Sequence, residues 1–321
     1  MFIYGVRLST SFLYMVRICV ISVLFIMILA CAPANDRQEI RLGTAALGGA
    51  YYPLGQGLSS LVTQHLDGVS MVPIVTRGAV ENPRLIARGD IELALTNADL
   101  AYFAYDGQRP YGEPLNILAA GALHPSVLHL ISRADGEIST FEQLEGKRIA
   151  LGAAGGPTVS LARLLLEAHG MSLDDVVPSF LSYSDGFSQL GDGNIDAAFA
   201  LAGYPAAGVL QTRATQDLSF IQIDSEIMAQ FIIENPYYYL VDMPKEVYDT
   251  NMGSTLLAVP NILIVSGNAD ADFVFDIVGS IYGNLQQLQQ TNAIAQQIDL
   301  SQIEHLPIPL HPGASQYFMQ Q

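Results

Sequence analysis

One segment occurs twice and sets what this chain can fold into. Arg-Gly-Asp-Ile-Glu-Leu-Ala-Leu at 88–95 returns as Asp-Gly-Asn-Ile-Asp-Ala-Ala-Phe at 192–199. Each copy closes the same series: a small-residue glycine loop, a helix, a strand, a short helix, then this segment. Forty residues separate Gly49 from Gly89, and 37 separate Gly156 from Gly193. Strands alternating with helices wind into parallel sheets. Ligands of such sheets lie beyond the carboxyl ends of the strands. The chain is therefore expected to form two α/β lobes facing one cleft, each offering a glycine loop and a helix start. A plain α/β repeat with no shared cleft is the other arrangement the pattern permits.

The first copy opens with a short apolar strand, Ile40 to Thr44, and a loop from Ala45 to Ala50 containing Gly48 and Gly49. Pro53 suits a first helical turn, where its missing N–H would be unpaired anyway. Leu54, Leu58, Leu61 and Val62 then form one apolar stripe at helical spacing. A glycine loop running into a helix N-terminus is an anion cradle, because free N–H groups and the helix dipole point the same way. A tight turn without ligand is the alternative. The second copy places Gly152 to Pro157 before a helix from Thr158 to His169, with Leu161, Leu164, Leu165 and Ala168 on its apolar face. Between the copies, Ile117 to Gly121 and Val127 to Ser132 read as two strands broken by His124-Pro125. Tyr102 to Glu113, rich in Tyr, Gly and Pro, reads as surface loop or short helix. After the second copy come a helix from Ser225 to Glu234, a strand from Leu256 to Val265 and a helix from Asp272 to about Leu288.

Composition narrows the partners. With 321 residues, half of them hydrophobic, the chain can bury two cores. Its formal charge of -17 disfavours nucleic acid and anionic membrane surfaces. An anionic ligand would have to be held by local dipoles and a few placed cations. Arg7 and Arg17 precede an apolar run from Ile18 to Ala30, too short to span a bilayer and typical of a secretory signal. Either Met1 or Met15 suits as the start. Residues 1–30 are read as signal peptide and 31–39 as a polar tether. Ile28-Leu29-Ala30-Cys31 resembles the lipobox of bacterial lipoproteins, although Leu29 stands where a smaller residue is usual. Cys31 is thus a candidate lipidation site, and an ordinary cleaved signal is the alternative. Past the signal Cys31 is the only cysteine, so a disulfide, a Cys-based metal site and a Cys nucleophile are excluded from the folded body.

Candidate ligand groups sit where strands end. Thr44, Tyr51 and Asn97 lie at or just past such ends, and Tyr51 reads equally well as a packing aromatic. Arg77 follows a strand and could grip a carboxylate by two parallel hydrogen bonds; an ion pair with Glu81, four residues on, is the competing reading. Thr158 could bind ligand or simply cap its helix. The six histidines do not cluster, and His124 and His129 are not a helical metal pair. No Gly-x-Ser-x-Gly, P-loop or His-Glu-x-x-His is present, so no cofactor, metal or catalytic centre is expected.

Several pieces then resemble one family in order. Gly43-Thr44, Gly48-Gly49 and Tyr51-Tyr52-Pro53-Leu54-Gly55 look like the N-terminal signature of the TAXI-type solute receptors of TRAP transporters. Thr76-Arg77-Gly78-Ala79-Val80-Glu81-Asn82, Gly89 to Ala94, Thr158 with Leu165 to Ala168, and Pro309 to Ala314 resemble later parts of that family. The resemblance implies a two-lobed α/β periplasmic-binding-protein fold of type II, with lobe 1 at 40–125 plus 225–321 and lobe 2 at 126–224. Hinges are expected near His124 to Leu128 and Ile221 to Ser225. It implies a small organic acid or amino acid, such as glutamate or 2-oxoglutarate, held between the lobes without chemistry. Thr44, Gly49, Tyr51, Thr76, Arg77, Asn97, Gly156 and Thr158 would be the ligand-binding residues. The protein would be periplasmic, tied to the membrane only by a lipid, and would serve a sodium-driven TRAP permease. Ala79, Asn97 and Arg77 depart from the usual family residues, as does the loop at Gly155-Gly156-Pro157-Thr158. A ligand-binding sensory lipoprotein, or an enzyme on the same fold, are the rival classes.

Overall fold

The repeated segments build the same three strands twice. The computed structural model describes residues 37–45, 50–248 and 254–321. The first copy forms β1 (Gln38–Gly43), α1 (Tyr51–His65), β2 (Val69–Ile74), α2 (Asn82–Arg88) and β3 (Leu93–Asn97). After α3 (Ala98–Asp106) and β4 (Ile117–Arg133), the second forms β5 (Arg148–Ala150), α4 (Pro157–Ala168), β6 (Val177–Ser179), α5 (Tyr183–Gly191) and β7 (Ala197–Ala202). The strands lie in the order β2-β1-β3 and, equivalently, β6-β5-β7. β1 runs parallel to β3, and β5 parallel to β6 and β7. The stripe of Leu54, Leu58, Leu61 and Val62 on α1 is buried, as its spacing requires. α2 ends on Gly89 at φ 73°, and Gly193 at φ 76° follows α5, a left-handed stop that favours glycine.

The two copies also share an ion pair. Arg41 gives its backbone N–H (2.7 Å) and its Nη2 (2.8 Å) to the carboxylate of Glu92. Arg148 does the same to Asp196, at 2.8 and 2.6 Å. Both pairs are partly exposed, so each adds little stability. They clip the start of each repeated segment to the strand beside it.

The rest of the chain joins the halves. α6 (Ala207–Arg213), β8 (Leu218–Phe220), α7 (Ser225–Glu234) and β9 (Tyr239–Met243) lead to β10 (Ser254–Ser266). α8 (Ala271–Tyr282), α9 (Leu285–Gln289) and α10 (Pro312–Phe318) finish it. The sheet runs β2-β1-β3-β10-β4-β7-β5-β6, with β8 paired to β4 and β9 to β10. The long antiparallel strands β4 and β10 thus pass from one half-sheet into the other. β10 lies beside β3 through Asn261–Val265, and β4 beside β7 through Val127–Ser132. From Glu39 to Gln321 the chain is one compact unit.

Three expectations change here. His124-Pro125 does not end a strand; β4 continues through it, because Pro125 lies opposite Pro260 of β10. Two residues missing an N–H face each other, and the Asn261 side chain beside them supplies a donor to the His124 carbonyl. The return crossing lies at Val259 to Asn261, not at Ile221 to Ser225. Ile221 N–H bonds Leu130 of β4 (2.9 Å), and Asp224 caps α7. Of the stretch from Tyr102 to Glu113, read as surface loop or short helix, Tyr102 to Asp106 is helix, the end of α3. The helix expected from Asp272 to Leu288 breaks at Gly283 into α8 and α9. Met243, Tyr248, Leu256 and Ala258 also pack with Val127, Ile131, Phe187 and Val209. The second half therefore draws on residues beyond 224. Residues 1–36, and with them the signal, most of the tether and Cys31, lie outside the described residues, as does Gly49. Among the described residues no helix is long and apolar enough to cross a membrane.

Asn82 ties the first half together. Its Nδ2 donates to the carbonyls of Leu95 (2.6 Å) and Thr44 (2.9 Å), while its Oδ1 lies 2.7 Å from Thr76 Oγ1. The side chain is fully buried. Asn82→Ala would take this donor from the Leu95 carbonyl and one partner each from the Thr44 carbonyl and Thr76 Oγ1, a loss of about 2 kcal/mol. Urea unfolding will measure it, and a change within about 0.5 kcal/mol would show that Asn82 does not hold this corner.

Candidate functional site

The carboxyl end of β3, the start of α1 and the β4–β10 crossing converge on one buried amide. Asn261 Oδ1 accepts from Tyr51 Oη (2.6 Å) and from Asn97 Nδ2 (2.9 Å). Its Nδ2 donates to the His124 carbonyl (2.8 Å) and to Ser126 Oγ (2.9 Å). An asparagine side chain has two acceptor sites and two donors, and here all four are used. Tyr51 and Asn97 were expected near a ligand and are brought together by this residue. Asn261 itself was missed; its one signal is a lone amide inside the apolar run Leu256–Val265.

The other expected residues divide. Thr44 is buried, its Oγ1 donating to the Ile74 carbonyl (2.8 Å), and its own carbonyl accepts from Thr76 Oγ1 (2.8 Å). Both hydroxyls are thus engaged in holding β1 against the loop after β2. Arg77 is exposed. The expected pair with Glu81 takes another form, because Glu81 Oε2 accepts the backbone N–H of Arg77 (2.8 Å). Among the described residues no carboxylate pairs with the Arg77 guanidinium.

In the second half Gly156, not Thr158, is the N-cap of α4. Thr158 sits in the first turn, fully buried. Its Oγ1 pairs with Tyr183 Oη and accepts from Leu201 N–H (3.2 Å). Thr158 therefore ties α4 to the end of β7.

Around Tyr51 lie polar groups with unused capacity. Burial raises the Tyr51 phenol well above its usual range, and the neighbouring Asp99, Tyr183 and Tyr111 push it further in the same direction. His124 presents its ring edge-on to Tyr51, with centroids 6.3 Å apart. Neither His124 nitrogen has a partner, nor do Asp99 Oδ1 and Tyr111 Oη. Burial holds His124 at about 3, a neutral ring at ordinary pH. The Asp99 carboxyl is buried among aromatic residues, its Oδ2 accepting from Tyr238 Oη (2.6 Å). Burial lifts it to about 6 despite that bond. A cavity of about 180 Å³ lies elsewhere, at the amino ends of β5 and β7. Its Arg148 and Asp196 are already paired with each other.

A family model described as NMT1-like matches residues 42–321. The chain belongs to the NMT1-like family. Three solved structures share its fold. The periplasmic aliphatic sulphonate binding protein SsuA from Escherichia coli is 14% identical, with a TM-score of 0.50 over 88% of this chain and 84% of that one. A putative L-cystine ABC transporter protein from Listeria monocytogenes is 12% identical, with a TM-score of 0.51 over 82% and 98%. A protein from Bordetella bronchiseptica RB50 is 14% identical, with a TM-score of 0.52 over 88% and 83%. The mixed sheet of this NMT1-like chain is the type II periplasmic-binding-protein architecture.

Asp99 gives the site a pH signature. The folded protein holds this proton more tightly than the unfolded chain. Its contribution to stability is therefore present near pH 4 and lost as pH rises through about 6. The difference between 3.8 and about 6 corresponds to about 3 kcal/mol. His124 and His129, held low by burial, act oppositely below their usual 6.5. Comparing wild type with Asp99→Asn removes their part. Relative to wild type the variant should gain stability between pH 4 and pH 7 in urea unfolding. A constant difference across that range would contradict this account.

Proposed function

We propose that this protein is an extracytoplasmic solute-binding receptor of a membrane transporter, working by closure of two halves on a solute and not by catalysis. The observation that carries this reading is the convergence at Asn261. In one half Asn97, at the end of β3, reaches the point where β4 and β10 cross; in the other, Thr158 in the first turn of α4 bonds the end of β7. Such a crossing is where rigid halves can hinge, and a solute that touches both halves favours the closed state. The hinge we propose is His124–Pro125–Ser126 with Val259–Pro260–Asn261. In this reading lobe 1 keeps 40–125 and regains the chain after the second crossing.

For the finer identity we follow the motif resemblance to TAXI-type receptors of TRAP transporters, which runs from Gly43-Thr44 to the Pro309–Ala314 tail. On this reading the solute is a small carboxylate such as glutamate or 2-oxoglutarate. The N–H groups starting α1 and α4 hold it, with Gly49 and Gly156 in the loops before them. Arg77 is the cation available at the rim. The membrane partner is a TRAP permease, and Cys31 carries a lipid. Of the three solved structures named above, the one from Listeria monocytogenes is a putative L-cystine ABC transporter protein. Sodium-dependent against ATP-dependent uptake separates the two kinds of partner.

A thermal-shift screen of the mature chain with amino acids and oxo-acids tests the solute. At 100 times its dissociation constant a solute adds about 2.7 kcal/mol. Absence of any shift would remove small carboxylates from consideration. Arg77→Ala should weaken a bound carboxylate by more than about 1 kcal/mol if the guanidinium grips it, and a smaller loss rejects that role. Cys31→Ser should release the protein from the membrane fraction, whereas continued retention rules out the lipid anchor.

A further inference from the structure

The buried histidines are used in different ways. His129 is fully buried, and its Nε2 lies 2.6 Å from Tyr248 Oη. His311 places Nε2 3.1 Å from the Ala269 carbonyl and accepts Gly313 N–H on Nδ1 (3.3 Å), capping α10. Each of these rings puts at least one nitrogen to work inside the protein. His124 is equally buried and uses neither.

Its position makes that unusual. Between Ala122 and Pro125 two residues of β4, Leu123 and His124, face the single residue Asn261 of β10, which is a bulge. The His124 carbonyl is held by Asn261 Nδ2, and Pro125 follows. The backbone is therefore fixed, and the ring stands between the two halves. One neighbour is the Tyr51 ring at the start of α1. Gly203, just past β7 in the other half, is a second neighbour; a Cβ there would lie 3.7 Å from His124 Cδ2. A buried polar atom without a partner costs about 1–3 kcal/mol. For packing alone, an apolar side chain of similar size would serve better here.

We propose that His124 is a solute contact and a specificity-determining residue of this receptor. This rests on reading the region between the halves as the solute site. The ring enters as neutral imidazole, one N–H donor and one lone pair. It meets a solute oxygen by hydrogen bonding and not by charge. No charged group stands among the influences on it; burial alone sets its proton affinity. Because Tyr51 and Gly203 neighbour the ring from different halves, its bond to solute forms in full when both halves are in place. Satisfying the orphan nitrogen is then part of what favours closure.

The test compares wild type, His124→Leu and His124→Gln as mature chains, with L-glutamate and 2-oxoglutarate as probes. Without solute, His124→Leu should unfold at the same temperature as wild type or higher, because an orphan polar group has been removed. Its affinity for the probe that wild type binds should fall tenfold or more by calorimetry. His124→Gln, which keeps a donor and an acceptor, should recover part of the loss. A lower solute-free unfolding temperature in His124→Leu with unchanged affinity would make the ring structural and overturn the proposal. If neither acid binds wild type, the carboxylate reading fails by itself. In that case a drop in solute-free stability of His124→Leu still overturns the role of His124 separately.

Discussion

The architecture depends on one saturated amide. Asn261 sits where two strands leave one half-sheet and enter the other, and the facing prolines Pro125 and Pro260 supply no N–H there. A sheet ladder interrupted at that point would normally expose carbonyls inside the protein. The Asn261 side chain fills that gap by donating to the His124 carbonyl. Its other bonds gather Tyr51, Asn97 and Ser126 around the same point. Continuity between the halves and assembly of the candidate site are therefore one event. A polar side chain at this depth is tolerated because each of its capacities is met.

The duplicated architecture was legible because it rests on local signals. Alternating strand and helix patterns, glycine stops and the echo of 88–95 in 192–199 are properties of neighbouring residues. The crossing was not legible, for a physical reason. Pro125 taken alone signals the end of a strand, and only Asn261 of the opposite strand, which bonds the His124 carbonyl, shows how the strand passes through it. The same limit applies to the site. Thr44, Thr76 and Thr158 were placed correctly at strand and helix ends. Whether a hydroxyl there is spent on the protein, as with Thr44 on Ile74, depends on contacts far away in sequence. Asn82 and Asn261 carried the heavier structural duty, and each reads as an ordinary polar residue in the chain.

The electrostatics run against the bulk charge in a useful way. Among the described residues the buried set contains one carboxylate, Asp99, and no lysine or arginine. An anion between the halves would face dipoles, phenols and a neutral imidazole. Recognition would then rest on placed hydrogen bonds, which are directional, and less on attraction from a distance. For a protein of formal charge -17 this means selectivity would come from close fit and not from steering.

The outer edges of the sheet carry a different lesson. β2 closes one end and β6 the other, and each contains a proline, Pro73 and Pro178. A sheet this wide ends in two rows of unpaired backbone groups, ready to accept another strand. A proline in each row interrupts it and blunts edge-to-edge growth. The margins of the molecule thus carry their own protection against self-association, set apart from the crossing where the solute is expected.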